Sequence, residues 1–472
     1  MSTSRRLAGL GRRRRRRWTR DQIQVTDPEM MRQSLKGASI GNFMEWYDFG
    51  VYGYIATTIA QVFYPGNTVS AVHLLATFST LAAAFVVRPI GGIIFGPLGD
   101  RIGRKRVLVI TIVLMTVGTT GTGLLPGYDT IGIWAPILLV VARVFQGLST
   151  GGEYVGAMTY IVEQAPDRIR GRVVGFLPLG NLAGFVAAGM IVTGLQTWLP
   201  AHDMLTWGWR APLLLSAPLG LVAVFMRMRL EESPAYEGEI HQAASDDAPR
   251  RYRDTIAEQW RPMLICAALV YTSNAADYML TGYLPTYLKV FVHVSHTAGL
   301  AMITGTLTIL AILLVFVAAL SDRVGVKPIM RTGCLLLIAA SIPAFLLIRN
   351  AGGGLLLVFV GVLLIGLMEL CFDSTSPATM PALFPTNVRN GALAISYNVS
   401  ISAFGGTTPL IAQALVSGTG NRMVPAYMLM VAGVVGLCTL AFTPEVAGRR
   451  LPGSPPVVET EQEARALVEG CD

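Results

Sequence analysis

Charge is what this chain has least of. Of its 472 residues, only 14% are Asp, Glu, Lys or Arg, 52% are hydrophobic, and the mean hydropathy is +0.53. A soluble globular chain carries roughly a quarter charged residues, so this composition excludes one. Histidine is almost as scarce: His73, His202, His241, His293 and His296 are all there are. No His-x-x-x-His pair occurs, and no metal centre is expected. The cysteines, Cys266, Cys334, Cys371, Cys438 and Cys471, contain no Cys-x-x-Cys spacing. Four of them fall in apolar runs, where a thiol packs as a small hydrophobe. No nucleophile–base pair stands out, so neither an enzyme nor a cofactor is expected. The short alternating segments of a membrane β-barrel are missing as well.

What the chain does have is long apolar runs, from about residue 38 to about residue 443. A window of about 19 residues divides them into about twelve spans. The expected fold class is therefore all-α and polytopic. Only Arg88 and Arg143 fall deep in spans, while Arg210, Lys289, Arg349 and Arg422 lie in or beside alternate loops. The remaining cations crowd the termini and the other loops. The positive-inside rule then places both termini in the cytoplasm of a cell inner (plasma) membrane. Topology accounts for the net charge of +8 and the pI near 9.4 without nucleic acid. The opening "RRLAGLGRRRRRRWTRDQ" is basic, but no apolar stretch follows it, so it is not a signal peptide. It reads either as an arm touching anionic lipid or as a disordered arm that enforces topology.

The chain repeats itself at long range. "LGDRIGRKR" (Leu98–Arg106) returns as "LSDRVGVKP" (Leu320–Pro328), and "APDRIRG" (Ala165–Gly171) as "FPTNVRNG" (Phe384–Gly391). "NFMEWYD" and "NAADYML" form a looser third pair, aligning Asn42 with Asn274 and Glu45 with Asp277. These offsets predict two six-helix halves of like topology. The expected organisation is a basic arm over 1–35, a first half over 36–230, a linker over 231–261, a second half over 262–445 and a short tail over 446–472.

At these motifs the chain resembles the major facilitator superfamily. "GPLGDRIGRKR" is similar to its loop between spans 2 and 3, "RVFQG" to its span-4 motif, and "EESP" to its signature after span 6. "GNFMEWYDFGVYGYIA", "FQGLSTGGEYVGA" and "MPALFPTNVRNGALAISYNVS" resemble the metabolite:proton symporters, and among these the proline/glycine betaine carriers. The resemblance implies the major facilitator fold with pseudo-symmetric halves. It also implies proton-coupled symport by alternating access, carried out by a monomer, on a small zwitterionic or carboxylate solute. The alternatives are an organic-acid symporter of the same family and a membrane sensor that no longer transports. Two features depart from the pattern. Glu369 and Asp373 add acids to span 10, and the tail is short for the coiled coil of some osmosensory members, so little osmotic activation is expected.

Ionisable residues inside spans are functional candidates. Glu45, Asp48, Glu153 and Asp277 are candidates for proton coupling, with Asp48 preferred. Gly41, Glu45, Asp48 and Tyr52 share one face of span 1 by helical spacing. Arg88 lies about 18 Å from the cytoplasmic loop at about 1.5 Å per residue. Its fork suits a substrate carboxylate, unless it is a structural partner of Glu45 or Asp48. Arg143 is a second candidate of the same kind. A quaternary nitrogen offers no hydrogen bond and seeks aromatic faces, so Trp46, Tyr47, Tyr52, Tyr278 and Tyr397 join the substrate-site candidates with Asn42, Asn274 and Asn398. Asp100, Arg101, Gly103 and Arg104 form an expected cytoplasmic gate, the aspartate facing a neighbouring helix N-terminus. Their second copy, Asp322 and Arg323, has Val326 where the first has Arg104, and is expected to hold more weakly.

Overall fold

The computed structural model describes residues 18–64, 71–229, 257–349 and 354–469. The extreme basic arm and most of the expected linker lie outside these residues. The first long helix, α1 (Pro28–Tyr54), opens with Asp27, whose side chain accepts from the Glu29 amide, and with Pro28 in its first turn. Both are favoured at helix starts. It buries Asn42, Glu45 and Asp48, a polar cargo that lowers its hydropathy and marks it as facing the protein interior.

Eleven further helices among the described residues are long and apolar enough to cross a membrane. In the first half they are α2 (Ala71–Ile102), α3 (Arg104–Leu124), α4 (Trp134–Gln164), α5 (Asp167–Trp198) and α6 (Ala201–Met228). In the second they are α7 (Trp260–Phe291), α8 (His296–Val324), α9 (Val326–Arg349), α10 (Leu355–Thr379), α11 (Thr386–Thr419) and α12 (Val424–Phe442). With α1 they make the twelve-helix bundle. Exposed Leu221, Phe316, Leu356 and Phe442 give it an apolar outer surface, as a bilayer requires.

Within the first half α1 packs on α5 and α2 on α4; within the second α9 packs on α10 and α12. The α2–α4 approach is backbone to backbone. A Cβ on Gly147 would strike the Ala84 backbone, and one on Gly151 would lie 2.7 Å from the Gly92 nitrogen. Small residues at four-residue spacing permit this closeness. The halves meet through α2 against α11 and through α5 against α8, contacts related by the internal repeat. At one end of the bundle β1 (Gln24–Val25) pairs in parallel with β2 (Val457–Val458). The terminal helix α13 (Glu461–Glu469) covers that pair, with Ile23, Val458 and Ala464 in a small apolar cluster. The described ends of the chain thus share one face of the molecule.

Candidate functional site

On that same face each half presents a carboxylate to the other. Asp100, at the end of α2, accepts from the Gly391 amide at 2.9 Å, in the opening turns of α11. Asp322, at the end of α8, accepts from the Gly171 and Arg172 amides at 2.7 and 2.8 Å, in the opening turns of α5. Free N–H groups and the helix dipole favour an anion at both places. Gly171 has to be small: a Cβ there would sit 2.6 Å from Asp322 Oδ1. Gly103 and Gly325 turn the chain between helices with φ of 100° and 98°, a conformation that suits glycine.

Around Asp100 the contacts continue into a buried ionic network. Arg104 reaches Asp100 Oδ1 at 3.4 Å and Glu163 Oε1 at 3.2 Å, and Arg389 of the other half donates to the same Glu163 oxygen at 2.8 Å. Arg101 and Arg323 are exposed. Where the first copy has Arg104 the second has Val326, and Asp322 is held by two backbone amides.

Deeper in the first half, carboxylates and arginines are matched one to one. Arg88 Nη2 donates to Glu45 Oε1 at 2.9 Å, and Arg143 Nη1 to Asp48 Oδ2 at 2.9 Å, all four residues being buried. Gln146 closes the second oxygen of Asp48 at 3.0 Å. Glu153 is forked by Arg227, with one arm at 2.7 Å, and also accepts from Thr111 at 2.5 Å. Three residues along a helix turn the direction by about 60°, enough to send Glu45 towards α2 and Asp48 towards α4. The sequence points to Arg88 and Arg143 as buried cations; Arg227, fully buried near the end of α6, is a third. Its signal was Glu153 itself, since a buried carboxylate needs a partner.

The second half contrasts with this. Asp277 and Tyr278 lie on α7 immediately before a π-helical turn, Met279–Tyr283, of the kind often found at functional sites. The Asp277 and Glu369 carboxyls are within hydrogen-bonding reach, with Asp373 beside them. Among the described residues none of the three makes an ion pair. For Asp277 the opposing charge among the described residues is Arg88, across the interface between halves.

Aromatic rings surround Arg88. Its guanidinium lies 4.9 Å from the Phe49 ring centre and 4.6 Å from that of Phe85. Phe85 meets Tyr278 edge-on at 5.6 Å, Trp46 packs on Phe185 at 5.0 Å, and Tyr154 on Tyr397 at 5.4 Å. Buried polar atoms here lack protein partners: Glu45 Oε2, Trp46 Nε1, Arg88 Nε and Glu369 Oε2. Such groups call for a ligand or water.

The structure thus brings together Glu45, Trp46, Arg88, Asp277, Tyr278 and Tyr397 from the sequence candidates. Others are held apart. The Tyr47 hydroxyl donates to the Pro212 carbonyl at 2.7 Å, and Tyr52 pairs with Thr80 and carries Arg143 over its ring at 3.9 Å. Asn42, Asn274 and Asn398 donate to the carbonyls of Leu177, Val270 and Gly151. Phe49, Phe85, Tyr154 and Phe185 were not singled out by sequence, because aromatic residues in spans are common and their direction is set by packing.

The family described as "Sugar (and other) transporter" matches residues 36–256 and 241–456, once for each half. The chain belongs to that family. It is 39% identical over 453 residues to the "Proline/betaine transporter" of Escherichia coli (strain K12), covering 94% of this chain and 90% of the relative. It is 41% identical over 469 residues to the "Ectoine/proline transporter ProP" of Corynebacterium glutamicum, covering 97% and 92%. Among solved structures, the proton:xylose symporter XylE bound to 6-bromo-6-deoxy-D-glucose superposes with a TM-score of 0.75 at 17% identity, covering 90% of this chain and 98% of that one. The fold is that of the major facilitator superfamily, and the protein is a multi-pass membrane transporter rather than an enzyme.

Proposed function

We propose that the protein is a proton-coupled symporter of small zwitterionic solutes of the proline and glycine betaine type. Its relatives' names support the substrate class. The observation that carries the reading is the Arg88–Glu45 pair, which is buried and ringed by aromatic faces, with an unpartnered atom on each member. A substrate carboxylate arriving at Arg88 competes with Glu45 for the guanidinium. A buried carboxylate stripped of its cation is unstable as an anion and takes a proton. Substrate and proton then load together. Glu45 suits this exchange better than Asp48, both of whose oxygens are engaged.

Asp100 and Asp322 serve as the two latches of a cytoplasmic gate, closed here and released when the halves rock apart. The described ends share the gate's face, which we place in the cytoplasm of the inner membrane on the cation distribution. The molecule works as a monomer, with anionic lipid as the partner of its basic arm. The test is uptake of radiolabelled proline, glycine betaine, citrate and 2-oxoglutarate into proteoliposomes, with and without an imposed pH gradient. Proline or betaine accumulates only with the gradient. Gradient-driven accumulation of citrate or 2-oxoglutarate alone overturns the substrate class, and accumulation indifferent to pH overturns the coupling.

A further inference from the structure

The carboxyls of Asp277, Glu369 and Asp373 have no role in the scheme above. Burying three acids without a cation is costly, so something other than protein must compensate them. Two observations say where it would sit. Asp277, Asp373 and Tyr154 keep part of their surface free although they lie deep between the halves, so they border an internal space. Beside them a buried polar atom lacks a partner. It is Glu369 Oε2, on a residue 2% exposed. Beside it the Tyr278 hydroxyl, on a residue 7% exposed, is within reach of Arg88, with Asp277 and Glu45 as further charged neighbours.

Arg88 is the cation whose charge reaches Asp277 from the other half. A zwitterion that sets its carboxylate on Arg88 directs its nitrogen towards α7 and α10. We propose that Asp277, Glu369 and Asp373 form a cation pole for the substrate nitrogen, and that this pole favours ammonium groups bearing at least one N–H over quaternary ones. The inference rests on the zwitterion reading given above. An N–H donor makes a charge-assisted hydrogen bond to a carboxylate. A quaternary nitrogen carries methyl groups in its place and leaves the Glu369 oxygen unmet, and a site built to accept a hydrogen bond discriminates against a ligand that lacks the donor.

The N-methylated glycines test this, because they share one carboxylate and lose one N–H at each step. Inhibition of proline uptake is measured with glycine, sarcosine, N,N-dimethylglycine and glycine betaine, for the wild type and for Glu369→Gln and Asp373→Asn. In the wild type the first two methyl groups change the inhibition constant gradually, and the third, which removes the last N–H, weakens it by about tenfold or more. In Glu369→Gln both weaken through the lost charge, but dimethylglycine, which also loses its charge-assisted hydrogen bond, weakens more and falls towards betaine. A smooth series through betaine in the wild type overturns the cation pole, whether or not either variant folds. Equal weakening of dimethylglycine and betaine in both variants overturns it too, because that is the mark of a structural role or of a proton-only site. If none of the four compounds competes but citrate does, the zwitterion reading has failed together with the pole. If all four compete alike, only the pole has failed.

Discussion

The two halves share one six-helix plan and solve the problem of buried charge in opposite ways. In the first half Glu45, Asp48 and Glu153 are each matched to an arginine, on α2, α4 and α6 respectively. In the second half Asp277, Glu369 and Asp373 have no arginine among the described residues. A matched pair is rigid and costly to break, whereas an unmatched acid is free to receive a cation or a proton. In the first half Asp48 and Glu153, engaged at both oxygens, are therefore suited to anchoring, whereas Glu45, with one oxygen unpartnered, and the acids of the second half are suited to receiving. Arg88, which touches Glu45 and whose charge reaches Asp277, serves both halves.

The comparison breaks most visibly at Asp48. Replacing it with Asn leaves Arg143 buried beside a neutral side chain. Truncating a buried pair costs about 3–5 kcal/mol, and Asp48→Asn is expected near the lower end because Gln146 and the new amide still hydrogen-bond. The thermal unfolding midpoint in detergent checks this; an unchanged midpoint would make the pair functional rather than structural. Arg88→Lys comes next. Lysine keeps the charge and loses the planar fork, so uptake of proline falls by about 100-fold in kcat/KM, close to 2.7 kcal/mol. Uptake near the wild-type level would reduce Arg88 to a structural partner of Glu45.

The gate sharpens the same contrast on a smaller scale. Asp100→Asn and Asp322→Asn each remove an anion from a helix N-terminus, worth about 1 kcal/mol. Each slows turnover several-fold and leaves equilibrium substrate binding unchanged. Because Asp322 accepts from two amides at a helix start, the second copy is expected to respond at least as strongly as the first. Equal loss of binding and turnover would argue against gating.

The smallest effect is at Glu445, just beyond α12. Burial pushes its carboxyl up, but hydrogen bonds from the amides of Ala447, Val326, Lys327 and Val446 outweigh this and hold it below the usual range. Its contribution is present above the ordinary glutamate value of about 4.3 and is lost as pH falls through the lower folded value. Glu445→Gln costs about 1 kcal/mol or less. The cost shrinks as unfolding is followed from neutral pH into that acid range. A cost that does not depend on pH would mean the amides bind the glutamine equally well.

Much of this was legible in the sequence. Apolar runs and duplicated loop motifs are one-dimensional signals, so the helix count and the two-half plan follow from them. The placing of Asp100 against a helix N-terminus followed from its position at a span end. Partner choice was not legible. Glu153 finds Arg227 across 74 positions, and Arg227 reads from sequence as one more cytoplasmic cation after an apolar run. Trp46 and Tyr47 are neighbours that a helix turns about 100° apart; only the packing of α5 and α6 decides that Trp46 meets Phe185 while Tyr47 reaches Pro212. Glu369 and Asp373 are visible as unusual acids, but the lack of an arginine paired with them among the described residues is a three-dimensional fact.

In the proposed mechanism the Arg88–Glu45 pair couples proton to solute. Comparing exchange with accumulation in Glu45→Gln proteoliposomes tests it most directly. Glutamine stands permanently for the protonated acid. Preloaded, labelled proline is expected still to exchange with external proline, while an imposed pH gradient no longer drives net accumulation. Accumulation persisting at the wild-type level in Glu45→Gln would contradict it and send the search for the proton to Asp277 and Glu369.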